Sequence, residues 1–507
     1  MLPTTDSGRL LMAWWGIAAV SAFAVYGPLH ADEWYQITAF YLLRLGLHAP
    51  DEMAWEFYEQ IRPWLQPGLY AALLGPWIGM GYHHLWAERA LHVLHALALL
   101  PALWALRRCA PGRGDPSPVL RWGTLALASM WFAPSMLVRH SSEALATLFV
   151  VGSLERSHAA HRGAKGVLSG LFAGLAFWAR FQTAFLTLPL LALLPRRALP
   201  GAAAGGALAG AVGVLIDRWG YGAWVLSPLR YLTKNVFEGK ASEFGTDPWP
   251  FYLLVGIGFT LNPLIWVWIV QGVRVSWSRA WPRSVSLGFG AFLLAHTLIP
   301  HKEPRFLVPL VPAAVILALY ALAGSARPQW AFGPRISKVV VALNLGMLAL
   351  YSGLDLVRPR RAFDFALWRL RPSVLVTQQP YYGRFDARQG DYPDRYPGFG
   401  ASFAVPSETR VIGAFREDYP EVCREHPEAL LLFTDRDVGA DGQRLPWPPL
   451  VPHTRAAGSW PFLPLPVKKW RFAYAWCGPP DRASAASLDR GATPRRDGYE
   501  VLASAPP

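Results

Sequence analysis

Long apolar runs fill most of the first 357 residues and recur at short intervals. A transmembrane helix needs about 20 mostly apolar residues, and several of these runs reach that length. Hydrophobic residues make up 53% of the chain and charged residues only 16%, against roughly 25% charged residues in an ordinary soluble protein. The pattern excludes a soluble enzyme, a disordered chain and a fibrous repeat. It predicts an all-α polytopic membrane protein.

The apolar runs predict about eleven transmembrane helices. Their boundaries, taken from hydropathy, are 10–27, 86–106, 120–138, 142–155, 167–180, 183–195, 198–216, 250–272, 284–300, 306–323 and 338–357. The stretch 68–82 is also apolar, but its glycines and prolines favour a helix that dips into the membrane interface. No small-residue cleavage pattern follows the first run, which favours a first span over a removable signal peptide.

Basic residues lie in alternating loops, and this alternation sets the orientation. These loops are 107–121, 156–165, 196–197, 274–283 and 327–338. The positive-inside rule places such loops in the cytoplasm. The segments 28–66, 217–249 and 300–305, and everything after residue 357, are then expected on the outer side of the membrane.

The composition changes after residue 357, where the candidate spans end. We expect a transmembrane catalytic domain over 1–357, with a first external loop over 28–85. A small extracytoplasmic α/β domain is expected over 358–507. Cys423 and Cys477 both lie in this second domain and either pair or stay as two thiols. The chain holds 3 cysteines, too few for a disulfide scaffold or a Cys-rich zinc site.

The net charge of +14 comes from 48 Lys and Arg residues against 34 Asp and Glu residues. Its arginines are scattered between apolar runs rather than gathered on one face, so the charge does not predict nucleic-acid binding. The predicted partners are instead membrane lipids and substrates that bind at the external loops.

An acidic pair follows the first span directly, in the sequence His30-Ala31-Asp32-Glu33. Two carboxylates at the membrane surface, preceded by a histidine, are typical of a general-base site that acts on a hydroxyl. The alternative is a solvated acidic pair that helps to end the helix.

Two further clusters lie in the external loops. Trp55, Glu56 and Arg62 are suited to hold a sugar or a phosphate, because tryptophan offers a flat apolar face and arginine a planar fork. An interfacial amphipathic helix with a snorkelling arginine would have the same pattern. The run 301–306, His-Lys-Glu-Pro-Arg-Phe, places three potential cations beside Glu303 next to hydrocarbon. Because such charges are costly there, this run favours phosphodiester binding over an accidental turn.

Arginines at two other span ends also fall on the predicted outer side, contrary to the inside bias. They are Arg139, followed by His140, and Arg180, followed by Phe181-Gln182. Each either snorkels to the interface or faces the site, and the sequence leaves both interpretations open.

These clusters together resemble glycosyltransferase family 22, the lipid-phosphate-mannose-dependent mannosyltransferases of GPI-anchor and N-glycan assembly. The resemblance runs in the family's order from about residue 10 to 320. The stretches that carry it are His30 to Glu33, Trp55-Glu56, Ile61 to Trp64, Asp217-Arg218-Trp219, Tyr221-Gly222, Trp224, Asn235-Val236, Ser242, Phe244 to Trp249, Tyr252 and His301 to Phe306. The His-Lys-Glu-x-Arg-Phe run is the most specific of them.

Three positions depart from the family's pattern. Ala31 stands where the family has proline, and Phe244 and Asp247 replace tyrosine and histidine in the Gly-Thr-x-Pro-Trp stretch. Contacts that the family makes there through a hydroxyl or an imidazole are therefore in question. The Ala-, Pro-, Arg- and Trp-rich composition resembles that of a high-GC bacterium, in which the lipid carrier is a polyprenyl phosphate.

The resemblance implies a GT-C fold and an inverting transfer of mannose from polyprenyl-phosphate mannose to a glycan or glycolipid hydroxyl. Asp32 would be the base, with Glu33 orienting it or replacing it. His301, Lys302 and Arg305 would hold the donor phosphate, helped by Arg62. The residues expected to line the substrate are His30, Trp55, Glu56, Trp249, Tyr252 and Glu303, of which Glu303 would also orient Lys302 or Arg305.

No cofactor and no metal ion are implied, because cationic side chains can take the charge of the leaving phosphate. The implied location is the extracytoplasmic face of a bacterial inner membrane. One alternative keeps the GT-C fold but moves arabinose, galactose or glucose from a lipid phosphate. Another is a lipid or sugar transporter, which predicts mid-span charges and inverted repeats. The charged clusters lie at span ends instead, which favours transfer over transport.

Overall fold

The computed structural model describes residues 6–24, 31–48, 50, 53–80, 84–111, 130–261, 265–324, 334–353, 373–377, 410–413, 419–434, 472–477 and 501–502. The chain divides into two compact units. The helical unit combines Met1–Tyr26 with Trp55–Leu354, and the mixed unit combines Gly27–Ala54 with Asp355–Pro507. His30 and residues 120–129, part of one predicted span, lie outside the described residues.

The helical unit consists of α-helices joined by short 3₁₀ and π turns. Numbered along the chain together with α2 (Ala31–Glu33) and α3 (Ala39–Arg44) of the mixed unit, its helices are α1 (Asp6–Ala24), α4 (Trp55–Tyr58), α5 (Leu65–Gly79), α6 (His84–Arg108), α7 (Phe132–Leu137), α8 (Ser142–His161), α9 (Val167–Ala179), α10 (Ala184–Ala192), α11 (Leu199–Tyr221), α12 (Ser227–Leu232), α13 (Phe251–Thr260), α14 (Ile265–Ser276), α15 (Ala280–Leu298), α16 (Val311–Gly324) and α17 (Pro334–Gly353). The 3₁₀ turns are Phe181–Thr183, Arg196–Ala198, Lys240–Phe244 and Pro304–Leu310, and Thr233–Phe237 is a π turn.

Three helical stretches of the described chain are long and apolar enough to cross a membrane: Glu88–Arg108, Arg196–Tyr221 and Pro304–Ala323. Shorter apolar helices accompany them at Leu11–Phe23, Val167–Ala179, Phe181–Ala192 and Ile265–Ser276. The chain is therefore a mostly helical membrane protein, while the count of about eleven spans stays a prediction.

The prediction of one helix over 250–272 is wrong in detail. The segment forms α13 and α14, and α13 ends where Leu261 takes a left-handed conformation with φ of 47°. A left-handed residue cannot continue a right-handed helix. Pro263 follows in the sequence, and a proline disfavours helical backbone at the residue before it. Hydropathy alone does not show this break.

Helices α9 and α11 pack closely through small residues. A Cβ placed on Gly170 would lie 1.8 Å from the carbonyl oxygen of Ala202, and one on Gly205 would lie 2.0 Å from that of Val167. Only glycine permits this approach, which is typical of helix pairs in membranes. The pair forms a rigid support for the end of α9, where Arg180 begins the next turn.

The two ends of α8 carry separate groups of charges. Glu143, in its first turn, pairs with Arg180 and Arg305. Glu155, near its other end, pairs with Arg108 and Arg156. Groups expected on the outer side of the membrane thus meet one another, and groups expected inside do the same.

The mixed unit contains a five-stranded sheet with the order β2-β1-β3-β4-β5. Its strands are β1 (Val374–Thr377), β2 (Arg410–Gly413), β3 (Ala429–Thr434), β4 (Phe472–Trp476) and β5 (Val501–Leu502), and helix α18 (Tyr419–Glu425) lies between β2 and β3 in sequence. Strand β1 pairs in parallel with β2 and β3, β3 with β4 antiparallel, and β4 with β5 in parallel.

Apolar residues of β1, β3 and α18 form the small core of this unit. Val374, Val376, Tyr419 and Leu431 are buried there. Cys423 and Cys477 pack against this core and form a disulfide. The question that the sequence leaves open is thereby answered in favour of pairing.

The mixed unit also contains the segment that begins with the acidic pair. Helix α2 continues through a π turn, Trp34–Thr38, into α3. Residues Phe40, Tyr41 and Leu42 are buried, so an apolar helix places the two carboxylates at its start.

Candidate functional site

A buried carboxylate joins two arginines at one end of the helical unit. Oε1 of Glu143 lies 2.8 Å from Nη1 of Arg180 and 2.9 Å from Nη1 of Arg305. All three residues are less than a tenth exposed. Glu143 occupies the first turn of α8, where the helix dipole favours a negative charge, and Ser141 caps that turn by accepting from the amide of Ala144.

Glu303 adds a second carboxylate to this cluster. Its oxygens accept from Nε of Arg305 at 2.6 Å and from Nη2 at 3.0 Å. This is the side-on bidentate geometry by which arginine recognises carboxylates and phosphates. Oε1 of Glu303 also lies 3.1 Å from Nε2 of His301. The structure therefore brings His301, Glu303 and Arg305 together, with Glu303 oriented on the arginine.

The ring of Phe306 lies close to both guanidinium groups. The Cζ atom of Arg180 lies 4.7 Å from the ring centroid and that of Arg305 lies 5.1 Å from it. Cation–π contacts of this kind hold an arginine in place without using its N–H groups. The arginine pair is thus fixed by Glu143 and by an aromatic ring.

Lys302 does not contact this ion cluster through its ammonium group. Its Nζ donates to the carbonyl oxygens of Asp247 and Ile299, each at 2.9 Å, and of Pro300 at 3.3 Å. The amide of Asp247 donates in return to the carbonyl of Pro300 at 3.0 Å. Because an ammonium has three donors, these carbonyls occupy them all. Lys302 ties the loop that ends at Trp249 to the turn before Arg305.

The predicted residues of the first loop form a neighbouring rim. Nη2 of Arg62 lies 2.9 Å from Oε1 of Glu56, and the hydroxyl of Tyr221 donates to the carbonyl of Arg62 at 2.7 Å. Asp217 accepts from the amide of Trp64 at 2.7 Å. These bonds fasten the first loop to the end of α11.

A lysine bridge secures the outer edge of this rim. Lys234 lies 3.0 Å from Glu59 and 2.9 Å from Glu238. Hydrogen bonds to Glu238 and then to Glu59 raise the pKa of Lys234, so the bridge keeps its charge.

Aromatic rings connect the rim with the ion cluster. Trp55 stacks on Phe244 with centroids 6.1 Å apart, and Phe244 lies 6.2 Å from the ring of His301. His301 in turn lies 6.0 Å from Phe306. Flat apolar faces in series are suited to contact sugar rings. Trp249 stays 70% exposed at the end of its loop.

An apolar cavity has Arg305 in its wall. Its walls include Met136, Trp266, Phe289 and Val308, which come from four different elements. Among the described residues that line it, Arg305 is the one charged side chain. A cavity of this composition is suited to a hydrocarbon chain, with the cation of Arg305 in its wall.

Asp32 and Glu33, the predicted catalytic carboxylates, lie in the mixed unit. Asp32 is half-buried at the start of α2 and Glu33 is buried. The backbone carbonyl of Glu33 accepts from the hydroxyl of Thr38 at 3.1 Å. Their predicted roles, like those of the other site residues, stay predictions.

Sequence reasoning missed Glu143 and also His296, whose imidazole centroid lies 6.3 Å from that of Phe306. Glu143 follows Ser141-Ser142 before an apolar run, which is also the ordinary start of a helix. His296 lies inside an apolar run near its end. The signal that the sequence offers is their position at the outer ends of predicted spans, as for Arg180, whose two interpretations the sequence leaves open.

Comparison with solved structures shows the fold. The crystal structure of ArnT from Cupriavidus metallidurans bound to undecaprenyl phosphate superposes with a TM-score of 0.54, covering 93% of this chain and 99% of ArnT at 13% identity. The apo state of ArnT superposes with a TM-score of 0.52. These likenesses show the fold alone, which is the GT-C fold that the resemblance implied.

The sequence then identifies the family. Residues 11–362 match the Alg9-like mannosyltransferase family, and the chain belongs to it. GPI mannosyltransferase 3 of Trypanosoma brucei brucei is 35% identical over 141 residues, which are 26% of this chain and 23% of the relative. GPI alpha-1,2-mannosyltransferase 3 of Bos taurus is 24% identical over 322 residues, 60% of this chain and 56% of the relative.

The predicted membership of glycosyltransferase family 22, a family of mannosyltransferases, is confirmed. The chain spans less than two thirds of the length of these two curated relatives.

Proposed function

We propose that this protein transfers mannose from polyprenyl-phosphate mannose to a hydroxyl of a glycan or glycolipid, with inversion at the anomeric carbon. The observation that carries the proposal is the double position of Arg305. It belongs to the buried ion cluster and also forms part of the wall of the apolar cavity. A lipid-linked sugar phosphate needs this combination, a hydrocarbon site that ends at a cation.

The family and the neighbouring structure support this donor. Alg9-like family membership points to mannose, and ArnT, which shares the fold, was crystallised with undecaprenyl phosphate. The isoprenoid chain would occupy the apolar cavity, and its phosphate would lie at the arginine pair. The Trp55–Phe244 platform and Trp249 would contact the sugars of the acceptor.

In the proposed reaction, the acceptor hydroxyl oxygen forms a bond to the anomeric carbon of the mannose. The hydroxyl proton passes to the carboxylate of Asp32, with Glu33 orienting it. The bond between the anomeric carbon and the phosphate oxygen breaks, and its electron pair leaves with that oxygen. The departing phosphate gains one negative charge, which Arg305 stabilises together with the neighbouring side chains of His301 and Arg62. Lys302, a predicted phosphate ligand, instead holds the loop that ends at Trp249.

No metal ion takes part in the proposed step, because the arginine pair supplies the positive charge. The active site would face the extracytoplasmic side of a bacterial inner membrane, and the alternation of basic loops along the sequence supports this orientation.

The test is transfer by purified protein in lipid nanodiscs, with radiolabelled polyprenyl-phosphate mannose and a glycolipid extract of the source envelope. Labelled glycolipid should form in the presence of EDTA. Asp32→Asn should lower turnover by about 100-fold or more while donor binding persists. Transfer from a nucleotide sugar but not from the lipid donor would contradict the proposal. Transfer from the lipid phosphate of arabinose, galactose or glucose alone would replace mannose as the sugar.

A further inference from the structure

Two deeply buried side chains beside the ion cluster leave a polar atom without a hydrogen-bond partner among the described residues. They are Nε of Arg180 and Nε2 of His296. Arg180 is 6% exposed and His296 is 2% exposed. Buried polar atoms are almost always paired in folded proteins, so unpaired ones require an explanation such as a bound ligand.

The two side chains lie against the same aromatic ring. The Cζ atom of Arg180 lies 4.7 Å from the centroid of Phe306, and the imidazole centroid of His296 lies 6.3 Å from it. Arg180 is fixed through Nη1, which lies 2.8 Å from Glu143 and donates to the hydroxyl of Ser142 at 3.1 Å.

The unpaired atoms have complementary chemistry. Nε of Arg180 is a donor on a permanently charged group, which suits an anionic oxygen. Nδ1 of His296 lies 2.9 Å from the carbonyl oxygen of Phe292. In the neutral ring this contact keeps the proton on Nδ1 and leaves Nε2 as an acceptor, which suits a hydroxyl. A ligand that satisfies both atoms carries an anionic oxygen and a hydroxyl a short distance apart.

We propose that Arg180 and His296 bind the glycosyl phosphate head group of the donor. Nε of Arg180 donates to a phosphate oxygen, and Nε2 of His296 accepts from a hydroxyl of the sugar. Glu143 is the positioning residue that holds Arg180 beside Arg305, so that both arginines face one anion. The inference rests on the proposed function, because it assumes a sugar linked to a lipid phosphate.

The test measures binding of two lipids to the full-length protein in nanodiscs: radiolabelled polyprenyl phosphate and polyprenyl-phosphate mannose. Arg180→Gln should weaken both lipids by about tenfold or more, since it removes a charge-assisted contact. His296→Leu should weaken the mannosylated lipid roughly threefold to tenfold and leave polyprenyl phosphate unchanged, since it removes one neutral hydrogen bond.

Two variants at the opposite end of the helical unit serve as controls. Arg108→Gln removes an arginine that pairs with Glu155 at 3.0 Å, and His158→Leu removes a histidine packed 4.4 Å from the ring of Trp281. Neither should change the binding of either lipid. Thermal melting identifies folded variants. Where Arg180→Gln does not fold, Arg180→Lys keeps the charge, loses the Nε donor and should weaken both lipids less.

The outcomes separate this inference from the proposed function. If the wild-type protein binds both lipids and the Arg180 and His296 variants bind them equally well, the head-group assignment is wrong and the proposed function stands. Equal weakening of both lipids by His296→Leu would overturn the sugar contact. A wild-type protein that binds neither lipid would overturn the proposed function and this inference with it.

Discussion

At the scale of single residues, the effect of Glu143→Gln on donor affinity distinguishes two roles for Glu143, repulsion of the phosphate and positioning of the arginines. If Glu143 merely repelled the donor phosphate, Glu143→Gln would tighten donor binding. If it positions Arg180 and Arg305, as their distances of 2.8 and 2.9 Å indicate, the same change should weaken binding by about tenfold. The measurement is the affinity for polyprenyl phosphate.

The control for this prediction lies on the same helix. Glu155 is also buried and also pairs with two arginines, Arg108 and Arg156. Glu155→Gln should cost less folding stability than Glu143→Gln, because Arg108 and Arg156 are largely open to water whereas Arg180 and Arg305 are buried. It should not alter donor affinity. If the two variants changed the affinity for polyprenyl phosphate equally, Glu143 would have a structural role only.

Lys302 has a different role from the one that its sequence motif predicts. The sequence predicts a phosphate contact, while its ammonium donates to three backbone carbonyls, one of them that of Asp247. We expect Lys302→Met to free the loop before Trp249, seen as faster amide hydrogen exchange over 240–249. Lys240→Met, which removes an exposed lysine paired with Glu243 at 2.5 Å, should leave the rest of that loop protected.

A direct phosphate role for Lys302 predicts a different result. In that case Lys302→Met would weaken donor binding and leave the exchange of the loop unchanged. Hydrogen exchange and lipid affinity, measured on the same sample, therefore decide between a tether and a ligand.

The site was only partly predictable because its members are far apart in sequence. The run 301–306 stands out, since charges beside hydrocarbon are costly. Glu143 does not, since its partner Arg305 lies 162 positions away and an acidic residue in a first helical turn is ordinary. Local patterns therefore predict that cations gather at this end of the bundle, but not which carboxylate holds them.

At the scale of elements, the close packing of α9 on α11 predicts that an added methyl group at the contact lowers stability. Gly205→Ala would place a Cβ 2.0 Å from the carbonyl oxygen of Val167 and 2.7 Å from the amide of Leu171. The helices must then separate, and we expect a loss of about 1–3 kcal/mol. Thermal melting of the protein in detergent measures it.

Gly210, on the same helix α11, provides the matched comparison. A Cβ at this position meets nothing within 4 Å. Gly210→Ala should be neutral or stabilising by up to about 1 kcal/mol, because alanine is the better helix former. A melting temperature that falls equally in both variants would mean that helix contact is not what glycine provides at position 205.

Element boundaries were predicted well where hydropathy changes sharply and poorly where the backbone changes direction within an apolar run. Helix α9 ends at Ala179, one residue from the predicted end of its span. The break at Leu261 lies between two apolar segments, so the window of hydropathy passes over it. The glycine contacts between helices involve tertiary packing that a single sequence pattern does not specify.

At the scale of the whole molecule, three observations concern which side of the membrane each part faces. The basic loops alternate along the sequence. The charges of Glu143 and Glu155 gather with different partners at opposite ends of α8. The disulfide between Cys423 and Cys477 is typical of an oxidising compartment. The basic loops predict that the Glu143 end of α8 faces outward, and the disulfide separately favours an extracytoplasmic location for the mixed unit.

Labelling with a membrane-impermeant thiol reagent tests this orientation in intact cells. Trp249→Cys places a thiol on an exposed residue of the loop tied down by Lys302, and Ala164→Cys places one in the exposed turn after α8. Cys109 is a buried free thiol and gives little background. Position 249 should react from outside the cell, while position 164 should react only after permeabilisation. The reverse pattern would put the arginine pair on the cytoplasmic face, where a donor carried across the membrane on its lipid could not reach it.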